Sequence, residues 1–165
     1  MNIFMPEPTI SKSVEALDDK RLLKQILECY QIVKINDRVL AGEEKVGYSH
    51  HPIVEYYRDK RRFVCEYGYK ACLERWARTG KGHKYWGFFT QEKNKYDRWQ
   101  AFLKICYIDK RPDLYCVESK YMCNIKSLPD VCKEFRQKLI DKWNTDKKRP
   151  RWTGSECPAW YKGGN

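Results

Sequence analysis

No run of 18 apolar residues occurs in this 165-residue sequence, so we predict that no segment spans a membrane. The first eight residues also lack the charged and apolar regions of a secretory signal peptide. We therefore expect the protein to work in the cytoplasm, in a reducing environment.

The sequence contains no C-x-x-C pair and only three histidines. Its eight cysteines are scattered along the chain, and we interpret them mainly as small core residues. A structural zinc site is the less favoured alternative. The scattered acids and few histidines also give little support to a metal-dependent nuclease, and we expect neither a metal nor another cofactor.

Strand-like alternation is nearly absent, and neither an internal repeat nor a domain linker is visible. We predict one all-α domain over residues 1–165, with about four helices and an aromatic C-terminal tail. The first helix is predicted from a cap at Ser11 or Ser13 to about Val39 or Leu40, and the second from Pro52 to Thr79. The third is predicted from a cap at Thr90 to a point before Arg111-Pro112. The fourth is predicted to begin at Leu128-Pro129-Asp130 and to turn Trp143 inward. Residues 113–127 are ambiguous.

Basic residues outnumber acidic ones, which gives a formal net charge of +11, and aromatic residues make up 15% of the chain. Basic charge interleaved with aromatic rings suits phosphate contacts and base stacking. A ribosomal or general RNA-binding protein has the same bulk charge. The composition therefore indicates a polyanion as partner and identifies no reaction.

Residues 18–31 combine an apolar stripe with a polar face at helical spacing. The predicted stripe consists of Leu22, Leu23, Ile26, Leu27, Tyr30 and Val33, and the polar face of Arg21, Lys24, Gln25, Glu28 and Gln31. One interpretation is a face that holds a polyanion and offers Glu28 to its chemistry. The other is a solvated face with ordinary pairing four residues apart, such as Lys24 with Glu28.

Three segments, in this order, carry a resemblance to a known family. They are Leu17-x-Asp19-x-x-Leu22 followed by Glu28, the stretch from His51 to Gly80, and the ending Arg149-Pro150-x-Trp152 with Trp160-Tyr161-Lys162-Gly163. Together they resemble the pyrimidine-dimer DNA glycosylases of the endonuclease V type from phages and bacteria.

The resemblance implies a helical enzyme that removes a pyrimidine dimer, or another damaged or modified base, from double-stranded DNA and then nicks the abasic strand. It implies no cofactor and no obligatory protein partner, and a bacterial or phage-infected cell as the setting. In that family the α-amino group of the chain attacks the sugar C1′ and forms a Schiff base, assisted by the glutamate that matches Glu28. Here Met1 carries the amine, or Asn2 does if Met1 is removed.

This chemistry is physically reasonable without a metal. A free α-amine has a pKa of about 7.7–8.0, so a useful fraction is neutral and nucleophilic around neutral pH. Leu27 and Gln31 stand where the family has basic residues, and we expect Arg21 and Lys24 to supply that charge. The leader before the first helix is longer than in the family, so the tertiary structure decides whether the amine reaches Glu28.

The predicted DNA contacts are Arg21, Lys24, Gln25, His51, Lys147, Lys148, Arg149, Arg151, Trp160, Tyr161 and Lys162. Three alternatives stay open among them: His51 caps a helix, Trp160 and Tyr161 dock on the helical core, or the 147–151 run is merely solvated. Trp86, with His83 and Lys84, either lines the DNA surface or covers the third helix. A DNA- or RNA-binding module without catalytic activity is the alternative function.

Overall fold

The computed structural model describes residues 1–106 and 128–161, with side chains described for residues 1–97 and 129–161. Within these ranges there are six helices and no strand, so the predicted all-α class is confirmed. The helices are α1 (Ile10–Glu15), α2 (Asp19–Leu40), α3 (Pro52–Tyr56), α4 (Arg61–Thr79), α5 (Trp86–Cys106) and α6 (Leu128–Thr145).

The predicted first helix is in fact two helices, α1 and α2, so its prediction as one continuous element is wrong. Thr9 caps α1 by accepting a hydrogen bond from the Lys12 amide at 3.3 Å. The carbonyls near the end of α1 are satisfied by Arg78 of α4, which donates to Leu17 O at 2.8 Å and to Glu15 O at 2.9 Å. A residue about 60 positions away thus stabilises the break, and no local signal indicates it.

The predicted second helix is also divided, into α3 and α4. Its start is confirmed, because His51 Nδ1 accepts from the Ile53 amide at 3.2 Å and Pro52 opens the helix. Its end is confirmed at Gly80, whose φ of +66° is the left-handed conformation that glycine favours. Between the two helices, Lys60 Nζ donates to the Tyr56 carbonyl at 2.7 Å and so satisfies the end of α3.

The predicted third helix corresponds to α5, which begins at Trp86, four residues before the predicted cap at Thr90. The turn before it is closed by the His83 carbonyl, which accepts a hydrogen bond from the Trp86 amide at 2.9 Å. The predicted fourth helix corresponds to α6, which begins at Leu128, as predicted, and buries Trp143. The ambiguous residues 113–127 lie outside the described residues.

Helix α4 is central, since it packs against α1, α2 and α5, while α2 also packs against α3. The N-terminal segment before α1 lies in the same core, where its apolar side chains are almost completely buried. The core includes Ile3, Phe4, Met5, Leu17, Leu22, Ile26, Ile32, Val54, Val64, Tyr67, Phe89, Leu139 and Trp143. The leader is therefore a packed structural element.

The cysteines whose side chains are described are all free thiols. Cys29, Cys65, Cys72 and Cys132 are buried, and Cys157 is exposed. Burial raises the pKa of Cys65 and of Cys72 to about 12, so these thiols stay protonated. Their interpretation as small core residues fits these four positions.

Helix α4 approaches α5 closely at Gly68. A Cβ atom at this position would lie 2.4 Å from ring atoms of Phe89, which is itself completely buried. We expect Gly68→Ala to lower the free energy of unfolding by about 1–2 kcal/mol, because an overpacking cost of up to about 3 kcal/mol outweighs the gain of about 1 kcal/mol in helix propensity. Thermal unfolding followed by circular dichroism measures the effect.

Gly87→Ala is the matched control for this prediction. Gly87 also lies in a helix, but nothing stands within 4 Å of its added Cβ. That variant should melt at or slightly above the parental temperature. A Gly68→Ala protein that melts as high as the control would show that Phe89 moves aside at no cost.

Candidate active site

The N terminus of the chain lies against Glu28 on α2. The Met1 amine is 3.9 Å from Glu28 Oε1, and the Asn2 amide donates to Oε2 at 3.3 Å. Glu28 is itself buried. The longer leader thus folds back far enough to bring the amine beside the carboxylate. We call Met1, Asn2, Gln25 and Glu28 the N-terminal cluster.

Gln25 holds this cluster together. Its side-chain amide donates to the Asn2 carbonyl at 2.6 Å and to Glu28 Oε2 at 2.9 Å, while its Oε1 accepts from the Phe4 amide at 2.9 Å. The side chain is completely buried. The expectation that Gln25 lies on a solvent-facing polar side of the helix is therefore wrong. One residue fixes both the leader and the orientation of the carboxylate.

Lys24 is the exposed neighbour of the cluster. Its Nζ lies 3.8 Å from Glu28 Oε1, four residues along the same helix, as in the pairing alternative considered from the sequence. Glu28 therefore has two cationic groups within 4 Å, the Met1 amine and Lys24. Lys24 is 63% exposed and the Met1 residue is 10% exposed, so only Lys24 extends into solvent.

The predicted faces of α2 are rotated relative to the observed ones. Its buried positions include Arg21, Leu22, Gln25, Glu28 and Cys29, whereas the predicted core residues Leu23 and Leu27 are 39% and 38% exposed. The cause is the leader, which covers the side of α2 that carries Gln25 and Glu28. Spacings of three and four residues through Leu22, Cys29 and Ile32 include position 25, which is the signal that sequence reasoning missed.

Arg21 is buried and paired, which corrects the expectation of an exposed DNA contact. Its guanidinium binds Asp146 just beyond α6, lies 3.4 Å from Asp18 and donates to the Lys142 carbonyl at 3.4 Å. The hydrogen bond from Arg21, with that from Lys20 at 3.0 Å, lowers the pKa of Asp146 to about 2. Arg21 thus ties the start of α2 to the end of α6.

The leader is also held from α6 and the C-terminal tail. Arg136 donates to the Pro6 carbonyl at 2.8 Å and to Glu7 Oε1 at 2.9 Å. Trp160 Nε1 donates to the same Glu7 oxygen at 2.8 Å, and Tyr67 donates to the Phe4 carbonyl at 2.6 Å. These bonds to the leader restrict where its first residues can lie.

The aromatic tail docks on Trp143 of α6. Trp160 stacks on its ring with centroids 5.5 Å apart, and Tyr161 meets it edge-on at 4.6 Å. Both side chains are half-buried, in agreement with the docking alternative. Lys162 lies outside the described residues.

The other candidate DNA contacts lie on the segment after α6, at the start of α3 and around the start of α5. Lys147, Lys148, Arg149 and Arg151 are exposed on the segment that follows α6. His51 is half-buried and caps α3, in agreement with the capping alternative. Trp86 is half-buried and packs on the core, 6.0 Å from Trp76, and Lys84 Nζ lies over the Tyr85 ring.

Potential metal ligands do not cluster in the part of the chain that the structure describes. It contains no group of three or more histidine, cysteine, aspartate or glutamate side chains that could hold a metal ion. Among the same residues, no helix combines the length and apolarity that crossing a membrane requires.

The profile of the pyrimidine dimer DNA glycosylase family matches residues 1–86, just over half of the chain. The protein belongs to this family. The match includes the N-terminal cluster and α1 to α4, whereas α6 and the aromatic tail lie beyond it. No curated protein and no solved structure is significantly similar to the chain. Family membership identifies a DNA glycosylase that acts in DNA repair, with DNA as its substrate.

Proposed function

We propose that this protein cleaves the glycosidic bond of pyrimidine dimers in double-stranded DNA and then nicks the resulting abasic site. The reactive group is the α-amine, on Met1 or on Asn2 after removal of Met1. The observation that carries this proposal is the 3.9 Å distance between the Met1 amine and Glu28 Oε1. Family membership supports the glycosylase part of it.

In the first step, the neutral amine attacks C1′ of the damaged nucleotide. The bond between C1′ and the base nitrogen breaks, and the base leaves with the bonding electron pair and takes up a proton. Positive charge develops at C1′, which a nearby carboxylate stabilises. This role is supported by the position of Glu28, which is buried and whose Oε1 lies 3.9 Å from the Met1 amine.

Opening of the sugar ring then yields a Schiff base between the amine and C1′. The Schiff base makes the C2′ protons acidic, and loss of one of them expels the 3′ phosphate, which nicks the strand. Glu28 is the side chain of the N-terminal cluster that can accept protons in these steps. Gln25 assists indirectly, since its two donated hydrogen bonds hold both Glu28 and the backbone of Asn2.

Borohydride trapping tests this proposal. Reduction in the presence of a duplex with an abasic site, or with a cyclobutane pyrimidine dimer, should link the protein covalently to DNA. Intact mass measurement shows which residue forms the N terminus. A protein that binds the damaged duplex but leaves no adduct would be a binding module, which is the alternative function.

The exposed basic segment after α6 gives a separate prediction about DNA affinity. Replacing Lys147, Lys148, Arg149 and Arg151 with alanine should flatten the dependence of log K on log salt, by about 0.9 for each phosphate that the variant no longer binds. Fluorescence anisotropy on duplex DNA between low and moderate salt measures this slope.

Lys12 and Lys45 serve as the control for this experiment, since both are exposed lysines outside the segment. Replacing these two with alanine should change the slope less than replacing Lys147 and Lys148. An unchanged slope in the fourfold variant would place the segment away from the DNA.

A further inference from the structure

The exposed side of α2 carries two leucines among lysines. Leu23 and Leu27 stand four residues apart, on the same side of the helix, and are 39% and 38% exposed. Lys20, Lys24 and Lys34 are exposed on this side of α2 as well. We call Leu23 and Leu27 the leucine ridge. The core does not account for it, since neither side chain is buried.

The position of Glu28 determines what approaches this ridge. The amine beside Glu28 is the group that the nucleotide has to reach, and exposed side chains of α2 border Glu28. Leu27 directly precedes Glu28, and Lys24 lies one helical turn before it. Lys24 can bind a phosphate, whereas a leucine side chain offers neither charge nor hydrogen bond. The part of the DNA that suits Leu27 is therefore apolar, such as a base face or the edge of a sugar.

An apolar contact of this kind would help the protein to displace a nucleotide from the duplex, which the reaction at C1′ requires. A nucleotide inside a stacked duplex is poorly accessible, and displacing it costs a few kcal/mol of stacking and pairing energy. Apolar side chains that enter the opened base step replace part of the missing stacking. The exposed lysines beside the ridge can bind phosphates, and this charge complementarity favours DNA over an apolar protein surface as the partner.

We propose that the leucine ridge is a wedge that enters the DNA stack beside the displaced nucleotide, with Leu27 in the gap and Leu23 against the neighbouring base pair. The proposal deepens the proposed function and rests on it, because it takes the N-terminal cluster as the place where the nucleotide reacts. The ridge recognises a damaged or abasic step, since such a step is the easiest to open.

A binding experiment tests the wedge without requiring any chemistry. The probe is a duplex with an uncleavable tetrahydrofuran abasic analogue next to 2-aminopurine, whose fluorescence rises when it is unstacked. The wild-type protein should raise this fluorescence and bind the analogue more tightly than an intact duplex. Leu27→Gln should lose most of the rise and bind the analogue about tenfold more weakly, with unchanged affinity for the intact duplex. Leu27→Met should behave as the wild type, because the side chain stays apolar.

Leu40→Gln is the matched control, since Leu40 is 70% exposed at the far end of the same helix. It should retain both the fluorescence rise and the affinity. Wild-type behaviour of both Leu23→Gln and Leu27→Gln would overturn the wedge. If the Leu27-dependent rise is present but borohydride trapping fails, the wedge is supported and the proposed reaction is overturned.

Discussion

Glu28→Gln is expected to slow strand cleavage by at least 10²–10³-fold, on the order of the loss seen when one electrostatic stabiliser is removed from an active site. Glutamine keeps the shape of the side chain and can still accept one hydrogen bond from the Asn2 amide. It removes the negative charge beside the Met1 amine and the group that accepts protons. Affinity for damaged DNA should persist or rise, because the carboxylate that repels a phosphate-rich ligand is gone.

Single-turnover cleavage of a dimer-containing duplex measures the rate, and anisotropy with the same duplex measures affinity. Glu44→Gln is the matched control, since it makes the same chemical change in the exposed loop after α2. It should cleave at the parental rate. Parental cleavage by Glu28→Gln would remove Glu28 from the mechanism.

Blocking the α-amine is expected to have an equally large effect. Acetylation turns the amine into an amide without a nucleophilic lone pair. An added residue moves the amine by up to about 3.8 Å, which is comparable to its present distance from Glu28. Both changes should abolish cleavage and borohydride trapping, while the helical content and the salt-dependent binding stay the same.

Lys24 is the competing nucleophile, because its Nζ lies as close to Glu28 as the Met1 amine does. Lysine amines have a pKa near 10.4 in water and become nucleophilic at neutral pH when burial or a cationic neighbour lowers it. Lys24 is mostly exposed, whereas the Met1 amine lies inside the N-terminal cluster, which favours Met1 as the nucleophile.

Lys24→Arg separates the two amines, since arginine keeps the charge and forms no Schiff base. We expect this variant to be trapped as the wild type is. Peptide mapping of the wild-type adduct should find the cross-link on Met1 or Asn2. A cross-link on Lys20 or Lys24 would contradict the assignment of the amine.

The helical class and several helix ends could be predicted because their signals are local. Pro52 begins a helix, Gly80 ends one, and the pattern around Pro129 predicts the start of α6. The breaks at residues 16–18 and 57–60 could not be predicted in the same way. Arg78 supplies the hydrogen bonds at the first break, and its closeness to α1 results from tertiary packing.

The sequence by itself determined that the chain is basic and helical, and it placed Glu28 among basic and amide residues at helical spacing. Those properties depend on composition, spacing and residue type, which are local. The N-terminal amine became a candidate through the resemblance to a known family. Only the tertiary structure decided that the leader folds back onto α2, since this depends on the burial of Ile3, Phe4 and Met5 and on bonds from Arg136 and Tyr67. The leader buries Gln25, whereas Arg21 is buried by its contacts with Asp18 and with the end of α6, and Leu27 stays exposed. Each of these outcomes depends on which element packs against that part of α2, and the sequence of α2 alone does not contain this information.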